Sequence, residues 1–429
     1  MASVNDVKVT IGGPESSPGT AESRTAVVPH RGLPNIRAAI ETGEDPAITG
    51  ENMAIDKYAL AGDINAPIDI SPRACPGFGM LVNSALGQES APAQIAAAIR
   101  IRYTGSDASC KISANTSTDT LTSETGTKGS ETGDANFGAA GDIDLTAAAT
   151  DTVGELVTVI EAYDDYECEK LFGADATDAA DIEDITSKQA KNGWVTVWFT
   201  SAASGVYRHL WEVVLSNTER PAYSIQVDGR QNDYVYDGCV VDRMSLSAAI
   251  RGFLEGSVTI LGMEEAAAGG ASSLEIEDVE AMVFSDAQFS VAASDYTFTR
   301  SIALEIMNNS NPDGYGTGSI YRQYHEKGKF AVTGTLQLRL DATSIAEKAK
   351  VEPGTMVNIF MTFDGGAFDS DINEMMGVEM PYCLLDDFEW NENGPVIDAR
   401  VPFTVVKGKN SPYNAAFTVW LLTDDSAAY

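Results

Sequence analysis

The sequence predicts a mainly β protein, an antiparallel β-sandwich or barrel with short helices and one inserted small α+β domain. Three observations carry this. Several stretches alternate apolar and polar residues with period two, the spacing of a half-buried strand. Gly, Asn and Asp fall between those stretches at turn spacing. One segment, 95–190, departs from the pattern, being strongly acidic and holding a helix signature. Function does not follow from such a class alone.

The chain has 429 residues, enough for one to three domains and a sizeable core. Its hydrophobic share of 44% and charged share of 21% are those of an ordinary globular protein, but its net charge is −35. Such a surface repels phosphates and anionic lipid at long range. It serves solubility, or it lets a protein touch nucleic acid without holding it. The five cysteines have no C-x-x-C spacing, so neither a disulfide framework nor a zinc site is expected, and the thiols should be reduced and buried. The opening residues MASVNDVKVT lack the charged and apolar regions of a secretory leader. No apolar run has the ~20 residues that span a bilayer, so no membrane contact is expected.

Residues 1–55 read as an arm, interrupted at Gly12-Gly13-Pro14, Pro18-Gly19, Pro29 and Gly32-Leu33-Pro34 and too poor in apolar periodicity for a core. Residues 56–94 and 191–429 read as the main β-sandwich domain, with 95–190 inserted. Leu60–Ile70 is a strand in which Pro67 asks for an edge position. Pro76–Gly87 is a short helix with Met80, Leu81, Ser84 and Ala85 on one face and Gly87 at its C-terminal stop. In the insertion, Ile99–Tyr103 and Ser109–Ser113 are strands, Thr116–Gly133 is a polar mobile loop, and Asp142–Leu145 is extended. Thr152-Val-Gly-Glu155 is a capping box ahead of the apolar stripe Val153, Leu156, Val157 and Ile160, and Tyr166–Phe172 closes as a strand. Nineteen Asp or Glu against four Lys or Arg between 105 and 190 make this insertion acidic.

Trp194–Thr200 and Val206–Leu215 are strands leading into Tyr223–Gly262, the most informative stretch. There Asp228-Gly229 turns the chain. Asp233–Val241 and Asp242–Ala248 follow, with Met244, Leu246 and Ala248 alternating against Arg243, Ser245 and Ser247. Gly256–Leu261 adds Ser257 and Thr259 on its polar side. Gly262–Gly270 reads as a flexible loop and Met282–Phe284 as a strand entry. Tyr296–Met307 and Lys329–Leu340 are two clear strands across the glycine-rich loop Asn308–Gly318. Ser344-Ile-Ala-Glu347 is a second capping box, on a helix ending near Lys350. Val357–Phe363 is a strand, Asp364–Met376 a long loop, Met380–Trp390 and Val396–Val406 a hairpin, and Phe417–Leu422 the last strand.

Chemistry-bearing motifs are weak. Asp369-Ser-Asp-Ile-Asn373 begins like a calcium loop, but Glu374 stands where the sharp turn needs glycine and Met380 where a bidentate Glu belongs, so a solvated acidic loop is expected. Gly314, Gly316 and Gly318 lack both phosphate-cradling spacings. His30, His209 and His325 have no nucleophile beside them in sequence and read as structural. No catalytic residue, cofactor or metal is therefore expected. The basic group Arg322, His325, Lys327 and Lys329 is an anion site or, in so acidic a chain, a patch that salt-bridges an acidic neighbour; the second is the expectation.

Four features in order along the chain carry a resemblance. They are Gly12-Gly-Pro-Glu-Ser-Ser-Pro-Gly-Thr-Ala21, the helix ending Ala85-Leu86-Gly87, the strand Tyr207-Arg-His-Leu-Trp-Glu-Val-Val-Leu215, and the series Tyr223–Gly262 with Tyr234-Val-Tyr-Asp-Gly-Cys-Val-Val241. Together they resemble the tail tube (major tail) proteins of long-tailed, siphovirus-like bacteriophages. The resemblance spans roughly 10–90 and 205–425; the insertion and the loop Gly262–Ser273 depart from it. It implies a structural virion protein, made and assembled in the host cytoplasm, whose hexameric rings stack into a tail tube. Inner strands would join into one barrel around an acidic channel through which double-stranded DNA passes during ejection. Partners would be other copies and the tape-measure, terminator and distal tail proteins, with no membrane. The arm and the Asp364–Met376 loop would bridge subunits or rings, and the insertion would project outward. Candidate lumen or inter-ring contacts are Arg243, Ser245, Ser247, Ser257, Thr259, Asp364, Asp369, Asp371 and Glu374. The competing readings are an acidic β-sandwich surface or adhesin protein, against which the missing leader counts, and a β-fold hydrolase, for which no residue speaks.

Overall fold

The computed structural model describes residues 7–429 apart from 35, 37, 45–56, 88, 140, 192, 203, 214–219, 230–232, 292–293, 297–298, 312–313, 318, 327, 352, 369–370, 394–395 and 408–414. Strands β1 (Lys8–Gly12), β2 (Arg24–Val27), β3 (Ala38–Glu44) and β4 (Lys57–Ile70) precede helix α1 (Pro76–Leu86). β5 (Glu89–Tyr103), β6 (Ser109–Asn115), β7 (Thr120–Thr127), β8 (Ser130–Gly133) and β9 (Asp142–Asp144) lead to α2 (Val153–Glu161). β10 (Tyr166–Gly173), β11 (Ile185–Gln189), β12 (Val195–Thr200), β13 (Tyr207–Val213), β14 (Tyr223–Asp228), β15 (Asp233–Ala249), β16 (Glu255–Gly262) and β17 (Glu264–Ala267) follow. Then come β18 (Ala287–Val291), β19 (Ser294–Asp295), β20 (Thr299–Met307), β21 (Ala331–Arg339), α3 (Ala342–Val351), β22 (Met356–Ala367), β23 (Asn373–Leu385), β24 (Glu389–Asn393), β25 (Val396–Val405) and β26 (Phe417–Thr423).

The fold is mainly antiparallel β, as the alternation predicts. One large sheet runs β3-β4-β16-β15-β20-β21-β25-β24, every neighbour antiparallel. A second runs β18-β22-β23-β26-β13-β5. The two meet at one corner, where Cys383–Leu385 of β23 pair with Phe403–Val405 of β25. Their facing sides make one core: Met244, Leu246, Ile302, Leu304, Leu336 and Val401 of the first sheet against Met361, Phe363, Val378, Val419 and Leu421 of the second. Each such Leu or Ile contributes about 1.5–3 kcal/mol by leaving water. α1 is buried at all eleven residues, not along one face as its sequence pattern predicts, because it fills the end of this core. Gly87 stops it with φ 68°, its N–H returning to Asn83 O at 2.7 Å.

The alternation along the second sheet reverses sides cleanly. Phe417, Val419 and Leu421 face the shared core, while Trp420 and Leu422 face outward. That outer side is covered: Phe360, Met375, Trp420 and Leu422 pack with Ile95, Ala98, Phe172, Trp194 and Trp198. Beyond lies a further core running from Ala97 to Phe199, between the sheet β10-β5-β12 and the sheet formed by β11, β6, β7, β8 and β9. In space the order is thus open face, first sheet, main core, second sheet, outer segment.

Several stretches expected to be loops are strands. Thr116–Gly133 holds β7 and β8, because Leu121, Ser123 and Thr125 alternate inward and β-branched threonine suits a pleat. Gly262–Gly270 holds β17, paired to β15. Asp364–Met376 is largely the β22–β23 hairpin, since Asp364 pairs with Met375 and Ala367 with Asn373. The α3 cap lies three residues earlier than its motif suggests: Asp341 Oδ1 accepts from Ser344 N at 2.8 Å and Ser344 Oγ from Asp341 N at 2.9 Å. The α2 cap stands where expected, Thr152 accepting from Glu155 N. Lys8–Gly12, within the stretch read as an arm, pairs with β14 of its own chain and buries Val9 and Ile11. Pro67 sits where β4 has run past β3, so its missing N–H costs no ladder bond on that side.

Candidate assembly surface

The polar side of the first sheet is built by register. Ser245 stands opposite Ser257 on one side and Glu305 on the other, Glu305 opposite Thr333, Thr333 opposite Thr404, and Ser257 opposite Asp69. The next row is Glu255, Ser247, Ala303, Thr335 and Pro402; the row on the other side begins Pro67, Thr259, Arg243. Opposite residues share a face, so these rows make one surface across six strands, polar along its central row and interrupted by Pro67, Met307, Ala331, Ala303 and Pro402 in the rows beside it. At its centre the small side chains of Ser245, Ser247, Ala303, Thr333 and Thr335 leave a shallow trough of about 400 Å³. Three cations here are answered by carboxylates. Arg243 Nε meets Glu305 at 3.2 Å, Arg400 meets Glu389 at 2.7 Å, and Arg31 pairs with Glu255.

Among the described residues, the two outermost strands of this sheet each have one partner: β3 pairs only with β4, and β24 only with β25. Both edges carry exposed apolar side chains. Ile40 on β3 is half exposed; Trp390 is 63% exposed at β24, and Ile397 on the paired strand β25 is exposed as well. Lys348 of α3 lies 5.8 Å from the Trp390 ring. An unpaired edge with apolar flanks is a template for another chain.

The nine residues singled out from sequence fall in two places. Arg243, Ser245, Ser247, Ser257 and Thr259 come together on the polar face. Asp364, Asp371 and Glu374 lie on the β22–β23 hairpin in the other sheet, and Asp369 lies outside the described residues. At that hairpin the Asp371 carbonyl accepts from Gly173 N at 2.8 Å, tying it to the outer segment. Burial pushes the Asp364 and Glu374 carboxyls up, and Asp424 and Glu280 push Glu374 further. Sequence reading missed Asp69, Glu305, Pro402 and Thr404 on the polar face and Ile40 and Trp390 at the edges. The alternation in β20 and β21 pointed to the first group; pairing order, which names an edge, is not written in any single strand.

The rest of the chemistry is internal. All five cysteines are buried, and burial pushes the Cys75 and Cys110 thiols up to about 12. His209 bridges Glu89 (Nδ1 to Oε1, 2.6 Å) and Thr423 Oγ1 (Nε2, 3.0 Å). The side chains of this hydroxyl–imidazole–carboxylate chain are buried, with the Tyr429 ring stacked on the imidazole at 4.2 Å, so it fastens the C-terminal segment instead of meeting a substrate. Among the described residues no three His, Cys, Asp or Glu side chains group to hold a metal ion, and no helix is long and apolar enough to cross a membrane. Comparison with curated proteins gives no match. A family model described as phage tail tube protein matches residues 5–405, nearly the whole of this sandwich and its outer segment, and the chain belongs to that family.

Proposed function

We propose that this structural tail protein closes into stacked rings, hexameric by the resemblance, through its two free sheet edges, and that its polar face lines a channel for DNA. The observation that carries this is the eight-strand sheet whose outer edges have no partner among the described residues, with a polar side facing away from the covered outer segment. Pairing β24 of one copy with β3 of the next would remove both edges and bury Ile40 and Trp390. Double-stranded DNA sliding past serine, threonine and already paired arginines would find few phosphate contacts to hold it. The channel is then less an acidic wall than one whose described arginines Arg31, Arg243 and Arg400 are already paired. On this reading segment 95–190 forms the tube's exterior, the Asp364–Glu374 hairpin holds that segment to the body, and the tube meets the tape-measure, terminator and distal tail proteins at its ends. Membership of a structural family also implies that the chain acts without catalysis and resides in the virion tail; synthesis in the host cytoplasm belongs to the proposal.

Negative-stain microscopy of the purified chain tests this. Rings or tubes with a central channel are expected, and Trp390→Glu or Ile40→Lys should leave a folded monomer that no longer assembles. A chain that stays monomeric at high concentration and with added salt, or edge variants that assemble like the parent, would overturn it.

A further inference from the structure

The connection between β20 and β21 folds back over β4 and β15 and carries basic groups inward. Arg322 is 2% exposed. Its Nη2 donates to Asp63 Oδ1 at 2.9 Å, and its guanidinium lies 5.9 Å from the Tyr315 ring. Its Nε and Nη1 are buried and have no acceptor. His325, three residues on, places Nε2 2.6 Å from the Gly238 carbonyl oxygen, and its Nδ1 is likewise buried without a partner. Arg220 arrives from a different part of the chain, donating through Nη1 to Val241 O and through Nη2 to Ser310 Oγ, both at 2.9 Å. Asp242, next along β15, accepts from Ser310 N at 2.7 Å. Gly314 lets the loop close on Arg322; a Cβ there would stand 2.9 Å from Arg322 Cγ and 2.0 Å from Tyr324 O.

Two carboxylates, Asp63 and Asp242, thus answer three basic groups, and the donors left over belong to the most buried of the three. A buried guanidinium N–H without an acceptor bears its full loss of hydration. An oxyanion satisfies it with charge-assisted bonds, for which arginine is the favoured partner. We propose that Arg322, His325 and Arg220 form a binding site for one small inorganic oxyanion of the phosphate or sulfate type, seated against Arg322 Nε and Nη1. Both sequence readings of this basic group bear on it: Arg322 does pair with Asp63, and the anion reading concerns the donors left over. It is independent of the ring proposal.

The histidine gives the site its pH signature. Burial, then the Gly238 hydrogen bond in opposition, then Arg322 and Arg220 act on His325, with Asp242 opposing the arginines; the balance pushes it down to about 4. At neutral pH its Nδ1 is therefore an acceptor, and it becomes a donor to the anion only on protonation. A seated anion favours that proton, so binding takes one up and strengthens as pH falls from about 7 to 5.

The test is isothermal titration of the full chain with sodium phosphate and sodium sulfate against sodium chloride at matched ionic strength, at both pH values, with thermal unfolding alongside. Expected are saturable binding of one anion per chain, an affinity loss of roughly tenfold or more in Arg322→Gln, and, in His325→Gln, retained binding at pH 7 with a flattened pH profile. Absence of a saturable response beyond chloride overturns the proposal, as does an unchanged affinity in Arg322→Gln. Should Arg322→Gln fail to fold, His325→Gln decides with sulfate, which unlike phosphate does not itself titrate between pH 5 and 7: a pH dependence of sulfate binding that survives there overturns the site.

Discussion

His209 shows how much one residue can hold. Its ring stacks on the Tyr429 ring at 4.2 Å, with the Trp211 ring near-parallel 6.3 Å from both, and its two nitrogens reach Glu89 and Thr423. Glu89 Oε2 also accepts from Tyr429 N at 2.6 Å, so the carboxylate depends on this cluster for its partners. His209→Phe keeps the stack but strips Glu89 Oε1 of its donor inside the core; a loss of about 3 kcal/mol or more is expected in denaturant unfolding. Glu277 gives a prediction of opposite sense. Partial burial first, then Asp424, Asp425 and Glu374, push its carboxyl up to about 7. A folded pKa above the unfolded one means the folded chain binds more protons between them, so this contribution to stability is present below about 4.5 and lost as pH rises through 7. Glu277→Gln should raise the melting temperature at pH 8 and leave it unchanged at pH 4. Sequence could name these residues but not their partners. Glu89 and His209 are 120 positions apart, and no local pattern links them.

At the scale of elements, patterning was readable wherever one face is buried and the other wet. β15, β16, β20 and β21 obey that rule, and their strands were visible from alternation alone. β7 hid because its inward residues after Leu121 are Ser123 and Thr125, polar groups that a hydrophobicity pattern counts as loop. The α3 cap misled for a different reason. Two residues able to cap, Asp341 and Ser344, lie one turn apart, and the earlier one wins by bonding the later. Asp341→Ala should therefore cost about 1 kcal/mol and fray α3, whereas Glu347→Gln should leave the helix start intact. Glu347 instead accepts from Tyr296 OH at 2.8 Å and pairs with Lys350. Thermal unfolding of the two variants, compared by circular dichroism, checks this.

For the whole molecule, the layer order decides what can meet what. Among the described residues the second sheet packs on both sides, in the main core and against the outer segment, while the first packs on one. Fold class was legible from sequence because it depends on period and turn spacing; the layer order was not, because it depends on which strand finds which across hundreds of residues. If the open face lines a channel, the pairing of Arg31, Arg243 and Arg400 with carboxylates is its working property. Ser245→Lys with Ser257→Lys should leave folding and assembly intact yet make tubes retain double-stranded DNA, with retention falling steeply as salt rises. Retention equal to that of the parent at low salt would show that this face does not meet DNA.

β5 has a mechanical consequence. Its first residues, Glu89–Gln94, pair with β13 in the body, and its later ones, Ile95–Tyr103, pair with β12 and β10 outside. One strand of fifteen residues, about 50 Å long and bulged near the crossing, therefore passes from one to the other. A tether would let the outer segment swivel; a shared beam does not. Torque or bending applied from outside reaches the body through ladder hydrogen bonds loaded together, so a label attached to the outer segment should report the orientation of the body itself.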